Sequence, residues 1–214
     1  MSWDVGAWVI GTVNSVLSTL IQAHGTQTFK SDGTFTVPDG VTKILVTACG
    51  AGGGGSNGNG GQGGNRIIKK AYSVTPKTGI RITIGIGGKS GNDGGATVIG
   101  NLVTLEGGGS KQFKKHNGAL GGTRLGEIGG YGEDGQDSPV SYGGKGGYNR
   151  PTVGDDVYRG GRGGGAGFGR GGDGGDGDYN GYSGKDGGIG GGGGGGGRGA
   201  SNGSGGNGIV IIEW

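Results

Sequence analysis

The sequence predicts a mainly β protein: a small β-sandwich base carrying a glycine-rich bundle of polyglycine-II helices, preceded by an N-terminal α-helix. Three observations predict it. Gly supplies 68 of the 214 residues and only 29% are hydrophobic, so any core is small and the rest depends on backbone hydrogen bonding. From residue 26 onward, short apolar runs alternate with turn residues, the pattern of strands. The chain also ends on an apolar run, Ile209–Trp214, which needs a partner strand.

Residues 4–24 carry the helical pattern. Val5, Trp8, Val9, Val13, Val16, Leu17, Leu20 and Ile21 recur at spacings of three and four, one apolar stripe. Ser2 or Asp4 caps the start and Gly25 stops it. Gly6, Gly11 and the β-branched residues lower its intrinsic propensity, so its stability comes from packing. With little core downstream, docking on another chain is the expected use. Residues 1–25 thus read as an attachment or oligomerisation segment.

Residues 26–106, completed by 209–214, read as the β-rich base. Thr26–Lys30 and Thr34–Val37 flank Ser31-Asp32-Gly33 as a hairpin, and Pro38-Asp39-Gly40 is a turn. Lys43–Ala48, Ile67–Val74, Ile80–Ile86, Ala96–Ile99 and Leu102–Glu106 are further strands. The strand nearest to Ile209 in sequence, Leu102–Glu106, lies about a hundred residues upstream. The intervening tract is therefore an excursion tied down at both ends.

That tract, 107–208, is built of Gly-Gly-X and Gly-X-Gly units such as Gly143-Gly144-Lys145-Gly146-Gly147 and Gly171-Gly172-Asp173-Gly174-Gly175-Asp176. Collagen needs Gly at every third position and abundant Pro; four Pro and no strict period exclude it. A polyglycine-II helix, with three residues per turn and no internal hydrogen bonds, can bond laterally to its neighbours. Ordered packing of this kind is the expectation for 143–208, with irregular ordered loops and disorder as the alternatives.

Other chemistries find little support. The net charge of +3 is no polyanion footprint. Arg159-Gly-Gly-Arg162 and Phe168-Gly-Arg170 look like an RGG box, but Asp155, Asp156, Asp173, Asp176, Asp178 and Asp186 cancel the charge; no nucleic acid is expected. A single Gly/Asp calcium-type unit at 171–178 reads as a solvated acidic cluster, so no metal is expected. Cys49 sits in an apolar run and reads as a small core residue. His24 and His116 are the only histidines; no nucleophile, base and orienting group can be assembled. Neither enzymatic activity nor a cofactor is expected. No secretory signal or run of about 20 apolar residues is evident.

The segment Gly33-Thr-Phe35-Thr-Val-Pro38-Asp-Gly40-Val-Thr-Lys-Ile-Leu-Val-Thr-Ala-Cys-Gly50-Ala-Gly-Gly-Gly-Gly resembles the opening of the glycine-rich domain of phage and prophage tail-fibre proteins. Gly208-Ile-Val-Ile-Ile-Glu-Trp214 is similar to that domain's closing strand. Trp3-Asp-Val-Gly-Ala-Trp8-Val-Ile-Gly11 loosely resembles the attachment segment of adhesins at the tips of T-even-type long tail fibres. The resemblance implies a virion protein, a tail-fibre tip adhesin. Its N-terminal part would dock on other tail proteins, and its distal loops would bind a host outer-membrane protein or glycan. The fibre attachment or homotrimer contacts then fall on Trp3, Val5, Trp8, Val9, Val13, Val16, Leu17 and Leu20. Tyr, Trp and Phe give large contact area at low entropy cost. The receptor contacts therefore fall on Tyr131, Tyr142, Tyr148, Asn149, Arg150, Tyr158, Phe168, Tyr179, Asn180, Tyr182 and Lys185. A structural matrix or ice-binding protein and an RGG-type nucleic-acid binder are the competing classes.

Overall fold

The computed structural model describes residues 24–57, 59–110, 182–196 and 200–214. The expected helix at 4–24, with Trp3 through Leu20, lies outside them. The described residues are mainly β, without a helix. Eight strands, β1 (Thr26–Phe29), β2 (Gly33–Thr36), β3 (Lys43–Cys49), β4 (Arg66–Ser73), β5 (Gly79–Thr83), β6 (Thr97–Ile99), β7 (Val103–Leu105) and β8 (Ile209–Glu213), form two antiparallel sheets. Their orders are β1-β8-β3-β4 and β2-β5-β6-β7.

Alternation dictates which side chains go inside. Phe29, Ile44, Val46, Ala48, Val210 and Ile212 from the first sheet join Phe35, Ile82, Ile99 and Leu105 from the second in one buried cluster. β8 lies between β1 and β3, pairing Ile211 with both Thr28 and Thr47. An Ile-Val-Ile-Ile run suits an interior strand, and its two neighbours stand even further upstream than β7. Cys49 is buried at the end of β3.

The expected hairpin across Ser31-Asp32-Gly33 does not form. β1 pairs with β8 and β2 with β5, so the turn carries the chain from one sheet to the other. The Asp32 carboxylate accepts the Ile84 N–H at 2.8 Å, which ties the turn to the residue following β5. Phe29 and Phe35 then enter the core from opposite sheets. The turn at Pro38 forms as expected: the Val41 N–H reaches the Pro38 carbonyl at 3.3 Å, and Gly40 takes φ +77°.

Candidate functional site

Strands run directly into glycine segments at one end of the sheets. β3 continues into g1 (50–55), β5 into g3 (85–91) and β7 into g5 (106–110). The segments g2 (60–65), g4 (92–95) and g8 (200–208) lead back into β4, β6 and β8. Two more, g6 (184–188) and g7 (190–196), precede g8. The described parts of both glycine regions therefore meet in one array.

At its centre is g1, whose six N–H groups donate at 2.8 to 3.1 Å. Gly50 and Gly53 donate to g2 (Asn65, Gln62), Ala51 and Gly54 to g4 (Gly95, Asn92), and Gly52 and Gly55 to g8 (Gly206, Gly203). The partner repeats every three residues, the signature of a threefold extended helix. Carbonyls of g1 accept from the other three neighbours: Ala51 from Gly108 of g5, Gly52 from Gly88 of g3, and Gly53 from Gly193 of g7.

The six neighbours also bond to one another in a closed ring. Gln62 donates to Gly109 (g2 to g5), Gly94 to Gly108 (g4 to g5) and Gly95 to Ile86 (g4 to g3). Gly205 donates to Gly88 (g8 to g3), Gly206 to Gly191 (g8 to g7) and Gly61 to Gly193 (g2 to g7). Such packing leaves no space for a side chain at the close-approach glycines. At Gly52 a Cβ would land against the Gly191 carbonyl and 2.9 Å from the Gly192 nitrogen.

Side-chain oxygens terminate the ladders where a backbone acceptor is missing. Asn207 accepts from Gly87 at 2.8 Å, Asn202 from Gly196 at 2.9 Å, Asp93 from Ser110 at 2.8 Å and Asp186 from Ser204. Gln62 acts the same way inside the array. It is 1% exposed, its Oε1 accepts from Gly109 at 3.3 Å, and its Nε2 has no acceptor among the described residues. None of these roles was expected from the sequence. The available signal was an Asn, Asp or Gln interrupting a glycine run.

The registers give the molecule two distinct ends. At the sheet end, Gly25 and Trp214 pair through two backbone bonds, beside the turns at Pro38–Val41 and Thr75–Thr78. At the far end of the array lie the turns at Ser56–Asn59 and Lys89–Asn92, joined to g8 by an Asn202–Ser90 side-chain bond of 3.0 Å. Ser110 and Tyr182, the described residues that bracket 111–181, are at that same end. About seven residues of β3 at 3.3 Å and six of g1 at 3.1 Å separate the two ends by roughly 40 Å.

Of the expected receptor contacts, the described residues include Tyr182, 58% exposed, and Lys185, whose backbone carbonyl accepts from Gly194. Both belong to the g6 side of the array. Tyr131, Tyr142, Tyr148, Asn149, Arg150, Tyr158, Phe168, Tyr179 and Asn180 lie outside the described residues, as do the Arg159–Arg170 and Asp173–Asp178 motifs. Among the described residues, no group of three or more His, Cys, Asp or Glu could hold a metal ion, and no helix is long and apolar enough to cross a membrane. At the sheet end Lys77, 3.0 Å from Asp39, holds that carboxyl below its ordinary value through a hydrogen bond and its charge.

A family model described as a glycine-rich domain matches residues 26–214. Comparison with curated proteins found no match.

Proposed function

The chain belongs to the glycine-rich domain family, and we propose that it is a recognition protein of a phage virion, a tail-fibre tip adhesin that binds a bacterial cell-surface component. In this reading the two sheets are a β-sandwich base and the array is a bundle of polyglycine-II helices. Residues 1–25 attach the base to other tail proteins or to two further copies. The protein recognises its partner without transforming it.

The observation that carries the reading is the division of labour between the two ends. The segment read as the attachment joins the fold at Gly25, beside Trp214. The turns at 56–59 and 89–92 and both brackets of 111–181 gather at the opposite end. Adhesion at the end of a fibre requires that arrangement: one end fixed, the other presenting loops whose sequence is free to vary. A closed hydrogen-bonded array holds those loops rigidly, so little ordering entropy is lost on binding. The side-chain caps on its edges disfavour lateral growth into a matrix, by the logic that protects exposed sheet edges.

The test is binding of the labelled full chain to a panel of Gram-negative cells before and after removal of surface protein by protease or of polysaccharide by mutation. Saturable binding lost in one arm supports the reading and names the receptor class. Absence of saturable binding across the panel, with virions carrying the chain elsewhere than on the fibre, overturns it.

A further inference from the structure

Four Asp-Gly pairs fall among the described residues: Asp32-Gly33, Asp39-Gly40, Asp93-Gly94 and Asp186-Gly187. Such a pair carries its own reactants. The glycine amide nitrogen can attack the carbon of the preceding carboxyl group, and glycine places no side chain in the way. The fold restrains three of the four. The Asp32 carboxylate accepts the Ile84 N–H at 2.8 Å, and Gly33 sits opposite Ile82 in the β2–β5 ladder. The Asp93 carboxylate accepts the Ser110 N–H at 2.8 Å and its hydroxyl at 3.1 Å, while the Gly94 amide donates to the Gly108 carbonyl. The Asp186 carboxylate accepts the Ser204 N–H at 2.6 Å, and the Gly187 amide donates to the Ser204 carbonyl.

Asp39-Gly40 is placed differently. Asp39 is exposed, and nothing lies within 4 Å of the Cβ position of Gly40, so no neighbouring chain restrains the pair. The Gly40 amide hydrogen-bonds to the Asp39 carboxylate, which keeps the attacking nitrogen beside the group it would join. Ring closure needs rotation about the Asp39 Cα–C bond. The turn resists that through a long bond, from the Val41 N–H to the Pro38 carbonyl at 3.3 Å. The remaining restraint is electrostatic: Lys77 Nζ lies 3.0 Å from Asp39 Oδ2. It favours the ionised carboxylate, and an oxygen departs as water only from the protonated form. Lys77 itself takes φ 64°, a conformation unfavourable to a residue with a Cβ. Gly is the default there, so the ammonium is held in place against local preference.

We propose that Asp39-Gly40 is a site of isoaspartate formation and that the Lys77 ammonium is its guard. The Gly40 nitrogen bonds to Asp39 Cγ, the amide proton and the carboxyl OH leave as water, and a cyclic imide remains. Water then adds at the former main-chain carbonyl of Asp39 and breaks its bond to the Gly40 nitrogen. The chain now runs through the Asp39 side chain, one methylene longer and unchanged in mass. The lengthened turn lies between Val37 and Val41, both core residues, so the product loosens the sheet end of the fold. This chemistry is independent of the adhesin reading.

The experiment is incubation of the full-length wild-type protein in water labelled with heavy oxygen, at mildly acidic pH, followed by peptide mapping. Each passage through the imide installs a labelled oxygen, and chromatography separates the isoaspartyl peptide from its aspartyl isomer. Label and isoaspartate should accumulate at Asp39 ahead of Asp32, Asp93 and Asp186. In Lys77→Ala the rate at Asp39 should rise roughly two- to fivefold, the scale of an exposed ion pair. High salt should raise the wild-type rate towards that of the variant, and Lys77→Arg should keep the wild-type rate. No label at Asp39, or equal rates at the four aspartates, overturns the site. A rate at Asp39 indifferent to both Lys77→Ala and salt overturns the guard.

Discussion

Gly52 donates its N–H to the Gly206 carbonyl at 2.8 Å, joining the glycine run that follows β3 to the one that precedes β8. Gly52 also packs against the Gly191 and Gly192 backbones, where a Cβ would overlap the Gly191 carbonyl. Gly52→Ala should therefore lower stability by about 3 kcal/mol or more, because backbone on a neighbouring segment has to move. Gly40→Ala is the control. Gly40 has φ +77° with nothing near its Cβ position, so only the backbone strain of roughly 1 kcal/mol is expected. Denaturant midpoints of the two variants check the contrast; equal losses would mean that the segments are not closely packed.

Inside the array, Gln62 supplies the acceptor for the Gly109 N–H. Gln62→Ala removes that bond, strands a buried donor and opens a small void, for a loss of about 2–4 kcal/mol. Asn207→Ala removes a comparable acceptor from Gly87, but on an exposed edge where water replaces it, so less than about 1 kcal/mol is expected. Thermal unfolding of the two variants should separate them clearly.

At the sheet end the Trp214 ring packs tilted against Phe35, with ring centroids 5.2 Å apart, while Gly25 lies against the same indole. Trp214→Ala should cost about 2–4 kcal/mol, towards the low end because the ring is only half-buried. It should also raise amide exchange at Gly25. Unchanged exchange there would separate the pairing of Gly25 from the ring contact.

How much of this was readable beforehand differs by element. Each expected strand from Thr26 to Trp214 appears within a few residues of its expected limits, because alternation and turn residues are local signals. The pairing of β1 was not readable. A two-strand turn at Ser31-Asp32-Gly33 is locally reasonable, and only the competition from β8 for the β1 edge, together with Asp32 bonding Ile84, sends the chain to the other sheet. The lateral bonding of glycine segments was foreseeable from their lack of side chains. Which segments become neighbours was not, since Gly50–Gly55 and Gly203–Gly206 carry no side chains to distinguish one partner from another. Of the expected contact residues, Tyr182 borders g6 and Lys185 belongs to it; the others lie outside the described residues.

The Asp39–Lys77 pair predicts a small, screened pH effect. The Asp39 carboxyl titrates below its ordinary 3.8 because Lys77 hydrogen-bonds to it and lies close in charge. A depressed carboxylate stabilises the fold above its unfolded value, and that contribution disappears as pH falls through the lower folded value. Both side chains are exposed, so salt should weaken the effect. Carboxyl NMR titration should show Asp39 moving up towards 3.8 in Lys77→Ala and at high salt; no movement in either would assign the depression to another cause.

The functional reading makes its own prediction at the far end of the array. Tyr182 is a large, exposed aromatic beside g6, bracketing 111–181, whereas Ile68 is an exposed apolar residue on β4 of the first sheet. If recognition belongs to the array end, Tyr182→Ala should weaken cell binding on the order of tenfold or more, the size expected for an aromatic contact residue. Ile68→Ser should leave binding within about twofold while removing a comparable exposed apolar surface. Both variants should keep the wild-type unfolding midpoint, since neither side chain belongs to the core cluster. Surface plasmon resonance on captured outer-membrane vesicles, or flow cytometry on whole cells, measures the ratio. Equal losses would mean nonspecific apolar adsorption. A loss confined to Ile68→Ser would move the recognition surface to β4 and reverse the assignment of the two ends.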